Sequence, residues 1–357
     1  MTQQQPELSC DISHLPPRAW RTAESSRAEL LDSVSSVRER AFFRAKVTRL
    51  ARRFFEDREF LEVDVPTMVA CPGMEPHLRA FPVHPTEAAE VRGRWLHTSP
   101  EYAIKATLAQ VDADVVTFAR AFRDEPPTRW HHPEFTMVEW YRRGADYQVL
   151  MLDCEDLIRS LAAAFDLDVQ TPFRRITLED AFTRWVGVPA TSSTAELRSA
   201  LKAAEIDVGD WDWETLFTIA YAECVEPNVC SEGAAFLYEF PAKMAALARL
   251  KPGNPAVAER FELYLPGGDG AIELANAFGE LVDPKEQRTR FASELGYRKS
   301  RGLAAYEMPE RMLHGISELG PTSGIALGFE RLLVWLAEQG PGWNTSVADW
   351  LLGEPPR

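Results

Sequence analysis

Two short stretches carry residue types suited to holding a charged, planar ligand: Arg123 and Glu125 in the first, Phe135, Glu139 and Tyr141 in the second. Each set shares one parity, and side chains of like parity lie on one face of an extended strand. A guanidinium fork clamps phosphate through paired hydrogen bonds, and a phenyl ring stacks on a base. As bare chemistry, the same pattern also describes an exposed, salt-bridged hairpin. A third stretch sets Glu262, Glu273 and Glu280 among Ile272, Leu274, Ala275 and Phe278. Carboxylates in apolar company are costly to desolvate unless a cation neutralises them, so bridging to ATP through Mg2+ is a natural role. A solvent-facing stripe is the plainer alternative. Glu273 and Asn276 differ in parity, and strict alternation sends them to opposite faces unless a bulge intervenes.

These residues need elements to position them. Phe43, Val47, Leu50 and Phe54 recur at helical spacing, which predicts an amphipathic helix over 39–58. Leu61, Val63 and Val65 alternate with Glu62 and Asp64 and stop at Pro66, which predicts a half-buried strand. Alternating strands over about 115–123 and 135–141, joined by a polar loop with Pro126, Pro127 and Pro133, predict an antiparallel hairpin with a charged tip. Residues 261–265 and 272–281 flank the glycine-rich turn 266–270 and predict another. Gly324 to Gly328 reads as a strand feeding a helix with Leu332, Leu333 and Leu336 on one side. Hairpin-linked strands point to an antiparallel sheet flanked by helices, an α+β fold. Residues 1–38, with Pro6, Pro16 and Pro17 and no apolar period, read as a loosely ordered N-terminal extension. Residues 39–357 read as the folded part, with a helical insertion at about 150–250.

Bulk properties exclude several classes. The 357-residue chain is 45% apolar, enough for a large core, and has no apolar run near the 18 or so residues of a membrane span. Its polar start is unlike a signal peptide, so the expectation is a soluble cytoplasmic protein. Lys and Arg number 39 against 54 Asp and Glu, and the net charge of −15 argues against an extensive nucleic-acid surface while leaving room for a local basic pocket. The five cysteines form no CxxC pair and read as buried thiols rather than zinc ligands or disulfides.

The strings FRDE (122–125), HHPEFTMVEWY (131–141) and GFER (328–331) resemble motifs 2 and 3 of class II aminoacyl-tRNA synthetases. The helix and strand ending in VDVP (63–66) resemble motif 1, the dimer motif. TSPE (98–101), RFE (260–262) and IELAN (272–276) resemble the lysyl enzymes. The resemblance implies a class II catalytic core that activates a lysine-like amino acid with ATP and Mg2+, as a homodimer. By this likeness Arg123 holds the substrate carboxylate and the α-phosphate, Glu125 the adenine amino group, Phe135 the adenine ring, and His131 and Arg331 the triphosphate tail. Glu262 and Glu273 bind Mg2+, Glu139 and Glu280 face the substrate amines, and Glu101, Tyr141, Asn276, Phe278 and Ala326 shape the amino-acid side.

Only about 40 residues precede motif 1, too few for the anticodon-binding domain of a full lysyl-tRNA synthetase. With EWY (139–141), VEPN (225–228) and GIALG (324–328), this resembles a stand-alone branch of the family that ligates (R)-β-lysine to a lysine of elongation factor P. The alternative is a truncated lysyl-tRNA synthetase-like enzyme charging tRNA or a small molecule. Ala326 stands where lysyl-tRNA synthetases carry glycine and that branch carries alanine. Departures from the family pattern are Asp124, His132, Ala277, Phe329 and Glu330, and a longer turn between Glu262 and Glu273; none removes an expected ligand.

Overall fold

The computed structural model describes residues 35–75, 77–84 and 93–351. The expected N-terminal extension lies almost wholly outside the described residues. Helix α1 (Val37–Glu56) begins two residues before the expected start because Ser36 caps it: its hydroxyl accepts from Glu39 N–H, and the Glu39 carboxylate accepts in return from Ser36 N–H. Phe43, Val47, Ala51, Phe54 and Phe55 form its buried stripe.

Strand β1 (Leu61–Glu62) is shorter than the alternation predicts. The Asp64 carboxylate accepts from Val65 N–H at 3.0 Å, a local bond that competes with the ladder and turns the chain away. A small sheet follows, built from β2 (Met68–Val69), β3 (Pro82–Val83) and β4 (Arg94–Leu96) in the order β2-β4-β3, then helices α2 (Glu101–Lys105) and α3 (Leu108–Val111).

The predicted hairpin is β5 (Val115–Phe122) and β6 (Glu134–Arg143), and α4 (Tyr147–Ala163) comes next. The stretch expected to be a helical insertion corrects that expectation. Besides α5 (Leu178–Trp185), α6 (Thr194–Ala203), α7 (Trp213–Ala220) and α8 (Glu226–Val229), it supplies β7 (Arg174–Thr177) and β8 (Ala235–Pro241). Ala235, Phe236 and Leu237 are buried as a continuous run on both faces of β8, and such a run lacks the alternation by which a strand is recognised. β9 (Leu250–Lys251) and the long hairpin β10 (Asn254–Gly267) and β11 (Gly270–Gly279) follow. The chain then runs through α9 (Pro284–Ser300), α10 (Glu310–Ser317), β12 (Thr322–Gly328) and α11 (Phe329–Gln339).

The main sheet has nine strands in the order β1-β5-β6-β12-β11-β10-β8-β7, with β9 on β10. From β5 to β8 every pairing is antiparallel, as expected; β1 on β5 and β7 on β8 are parallel. Val138 and Trp140 of β6 and Ile325 and Leu327 of β12 enter the core under α1, α4 and α11. The opposite parity therefore faces a cavity, with α2, α9 and α10 packed around a separate apolar cluster at its side.

Glu330 ties these layers together. It is 1% exposed, accepts from Thr136 N–H at 2.7 Å and pairs with Arg44 of α1 at 2.8 Å. Removing one partner of a buried pair leaves an uncompensated charge, so Arg44→Ala is expected to destabilise the fold by about 3 kcal/mol. A urea unfolding midpoint unchanged from the parent would contradict this.

Candidate active site

Backbone register lines up the cavity floor. Thr117, Glu139, Ala326, Asn276 and Glu262 stand opposite one another across β5, β6, β12, β11 and β10. The adjacent row is Tyr141, Gly324, Phe278 and Arg260. Directly opposed residues point to the same face, so each row is a line of neighbouring side chains. Where Leu263 opposes Ala275, the next residue Tyr264 opposes Glu273, and Leu274 is the extra residue of a β-bulge. This bulge brings Glu273 and Asn276 to one wall despite their opposite parity.

The cavity encloses about 900 Å³, and Glu101, Arg123, Glu125, His131, Phe135, Glu139, Glu273, Asn276, Phe278, Ala326 and Arg331 all line it. Tyr141, Glu262 and Glu280 lie one layer behind. The Tyr141 hydroxyl donates to Glu139 Oε2 at 3.1 Å, Glu262 accepts from the wall residue Arg260 at 2.7 Å, and Glu280 connects through Lys105 to Glu101.

One end of the cavity concentrates negative charge. Lys105 Nζ sits 2.5 Å from both Glu101 Oε1 and Glu280 Oε2, so one ammonium serves two carboxylates. Burial works against the Lys105 charge, but Glu101 and Glu280 outweigh it and hold its pKa above the ordinary value. Burial pushes Glu280 up to about 7 despite Lys105. It raises Glu139 well above the carboxylate range, with Glu101 adding to the effect. Glu139 is 1% exposed and its Oε1 has no hydrogen-bond partner; the same holds for Oδ1 of the half-buried Asn276. Acceptors left unpaired at this depth call for a donor, and beside carboxylates the fitting donor is an ammonium.

The other end is cationic and aromatic. The Arg123 guanidinium carbon stands 5.1 Å from the Phe135 ring centroid, and its Nε donates to Thr98 O at 3.4 Å. Arg331 donates to Trp130 O at 3.2 Å, Glu273 O at 2.7 Å and His131 Nε2 at 2.8 Å. A guanidinium only donates, so Nε2 accepts and the ring is neutral, with Nδ1–H directed at Thr128 Oγ1 3.0 Å away. Burial and Arg331 both lower the His131 pKa, in agreement. His132 is buried, its Nδ1 lying 2.7 Å from Glu134 O and 3.1 Å from Glu134 N, where it shapes the loop.

A third acidic group lies beyond Arg331. Glu262 accepts from the hydroxyls of Tyr221 (2.6 Å) and Tyr264 (2.9 Å), and Tyr264 also reaches Glu226 at 3.2 Å. Tyr221 reaches in from a one-turn π-helix, Tyr221–Val225. Burial pushes Glu226 up to about 7, reinforced by Glu273 and Glu262. Among the described residues no group of three side chains is closed into metal-ligand geometry. These carboxylates, with their excess negative charge, are nonetheless the hard oxygen donors that suit Mg2+.

Sequence reasoning missed Lys105, Glu226, Tyr221 and Tyr264. Lys105 carries a readable signal, four residues after Glu101 and thus on its helical face. Glu226 lies inside the VEPN string, whereas nothing local marks Tyr221. Of the cysteines, Cys71 and Cys154 are buried as expected, whereas Cys224 and Cys230 are only partly so.

A family model for tRNA synthetases class II (D, K and N) matches residues 24–341. The chain belongs to this family. Similar class II proteins include the elongation factor P-(R)-β-lysine ligases of Vibrio vulnificus (37% identical over 309 residues) and Vibrio cholerae (34% over 309), each match covering 85% of this chain and 91% of the relative. That of Erwinia tasmaniensis is 36% identical over 310 residues, covering the same shares.

In this synthetase fold Gly324 allows the floor to close: a Cβ there would lie 2.3 Å from Tyr141 Cε1 and 2.4 Å from Glu280 Oε1. Gly324→Ala is expected to cost about 2 kcal/mol by overpacking. Thermal unfolding of the variant at the parent temperature would refute the close approach.

Proposed function

We propose that the protein is a ligase that activates (R)-β-lysine or lysine as its acyl-adenylate at the expense of ATP and transfers it to a lysine side chain of elongation factor P. The observation that carries this reading is the unpaired, buried Glu139 in a carboxylate-rich end of the cavity, opposite a cationic end built from Arg123, Phe135 and Arg331. A ligand spanning both ends bears ammonium at one terminus and carboxylate at the other. The names of the Vibrio and Erwinia relatives support the same substrate and acceptor.

In this reading Phe135 stacks on adenine, and Arg123 beside it neutralises both the substrate carboxylate and the α-phosphate. Glu125 receives the adenine amino group, and Arg331 with neutral His131 holds the triphosphate tail. Glu262 and Glu273 would hold Mg2+, with Glu226 beside them; bound there, the ion neutralises phosphate charge. Substrate amines are taken up by Glu139 and Glu280, while Glu101, Tyr141, Asn276, Phe278 and Ala326 shape their pocket. A carboxylate oxygen attacks the α-phosphorus in line, a new P–O bond forms, and pyrophosphate leaves. The acceptor amine then attacks the acyl carbon, AMP departs and the amine loses a proton. Alignment and charge neutralisation supply the catalysis.

The reading includes a homodimer paired through motif 1, supported by Phe42 of α1, 62% exposed. Among the described residues no helix is long and apolar enough to cross a membrane.

Amino-acid-dependent ATP-pyrophosphate exchange across lysine isomers, followed by mass analysis of elongation factor P and of tRNA, tests the proposal. Labelled tRNA beside unmodified factor would reverse it in favour of the tRNA-charging alternative. Arg331→Ala is expected to abolish exchange, and normal exchange in that variant would remove its phosphate role. Proton linkage provides a further check. Glu280, pushed up to about 7 in the free protein, binds a proton part of the time near neutral pH, and a bound ammonium lowers its pKa. Binding at pH 6.5 should therefore release protons, and affinity should rise with pH up to about 7. Calorimetry in buffers of different ionisation heat that showed proton uptake would be incompatible with this assignment.

A further inference from the structure

One carboxylate on the cavity wall has no part in the scheme above. Glu75 lines the cavity beside Thr98, Glu101 and Arg123. Among the described residues the carboxylates around this end include Glu75, Glu101, Glu139 and Glu280, with Glu294 near Glu75; Glu101 and Glu280 share Lys105, whereas Glu75 and Glu139 have no ion pair.

The loop that presents Glu75 is held on every side. Thr98 N–H and Oγ1 both donate to Pro72 O, at 3.1 and 2.9 Å. The Tyr102 hydroxyl accepts from Met74 N–H at 3.1 Å, and the buried Arg298 donates to Glu75 O at 3.1 Å. Gly73 has φ +154°, and a Cβ there would lie 2.6 Å from Thr98 Oγ1 and 2.8 Å from Glu75 Oε2. The glycine thus lets the Glu75 carboxylate settle against Thr98, the residue whose carbonyl accepts from Arg123. Glu75 therefore lies at the Arg123 end of the amine pocket, whereas Glu139 lies on the floor beside Ala326. Burial raises the Glu75 pKa, Glu101 adds to this, and Arg123 partly offsets it, the condition of an acid whose counter-charge arrives with the ligand.

We propose that Glu75 is a specificity-determining residue that receives the ammonium nearest the reacting carboxylate, while the distal one goes to the Glu139 end, with Glu280 behind it. The inference rests on the diamino-acid reading above and deepens it. Two unpaired acids at the two ends of one pocket match two ammonium groups on one substrate, and an amino acid without the amine nearest its carboxylate leaves Glu75 unsatisfied.

The test compares a diamino acid, lysine or β-lysine, with 6-aminohexanoate, which keeps the carboxylate and distal amine but lacks the proximal one. Exchange by the unaltered enzyme with the diamino acid checks the underlying reading separately; the ratio between the substrates in the variant checks Glu75. Glu75→Gln is expected to lose roughly thirtyfold or more in kcat/KM with the diamino acid, the scale of removing one partner of a buried ion pair. The loss with 6-aminohexanoate should stay below about threefold, since that substrate never had the contact. Glu75→Asp, which keeps the charge, should recover much of the preference and serves as the comparison should the Gln variant lose its fold. Equal losses for both substrates, or an unchanged ratio in both variants, would overturn the assignment.

Discussion

Excess negative charge buried on one face of an antiparallel sheet is the constraint around which this structure is organised. Desolvating a carboxylate is expensive, and a single ammonium on Lys105 shared between Glu101 and Glu280 leaves Glu139 without a counter-ion. The raised pKa of Glu139 records that cost. A free protein in this state is poised for a cationic ligand, because the ammonium that satisfies Glu139 also relieves the desolvation already incurred in folding. An apolar amino acid would leave these acids as unpaired as they were, which is the physical basis for the proposed selectivity.

Sheet register converts that chemistry into geometry. Glu139, Ala326 and Asn276 are far apart in the chain yet stand in one row because β6, β12 and β11 pair in the order that places them opposite one another. Ala326 puts a methyl group between a carboxylate and an amide, where a glycine would leave open floor. In the next row Gly324 allows Tyr141 and Glu280 to approach more closely than any side chain at that position would permit. The floor is thus set by one missing Cβ and one present Cβ two residues apart on the same strand.

At the cationic end the same economy holds. Arg331 lies in the first turn of α11 and contacts the motif 2 loop through Trp130 and His131 and the β10–β11 hairpin through Glu273. A single guanidinium therefore couples three segments that would all border a triphosphate. Glu330, the preceding residue, is buried against Thr136 N–H of β6 and binds α1 through Arg44. Adjacent residues of one helical turn serve the cavity and the scaffold respectively, so the cationic end is joined directly to α1.

The sequence by itself determined the class of fold, the main hairpins and most of the residues that line the cavity. Period-two alternation and motif spacing are local properties, and Phe135, Glu139 and Tyr141 share a face whatever lies around them. It also marked Glu273 and Asn276 as needing a bulge, without being able to place one. What only tertiary structure decided depends on contacts between distant segments. Strand β8 was hidden because burial on both faces erases alternation, and β7 because four half-exposed residues, RRIT, are too short to show one. The bulge at Leu274 is a matter of register against β10, and Lys105, Tyr221 and Glu226 acquire their roles only when α2, the π-turn and α8 are brought against the sheet. Residue type and spacing fix what a side chain can do; which charge it meets, and at what depth from water, is settled by packing.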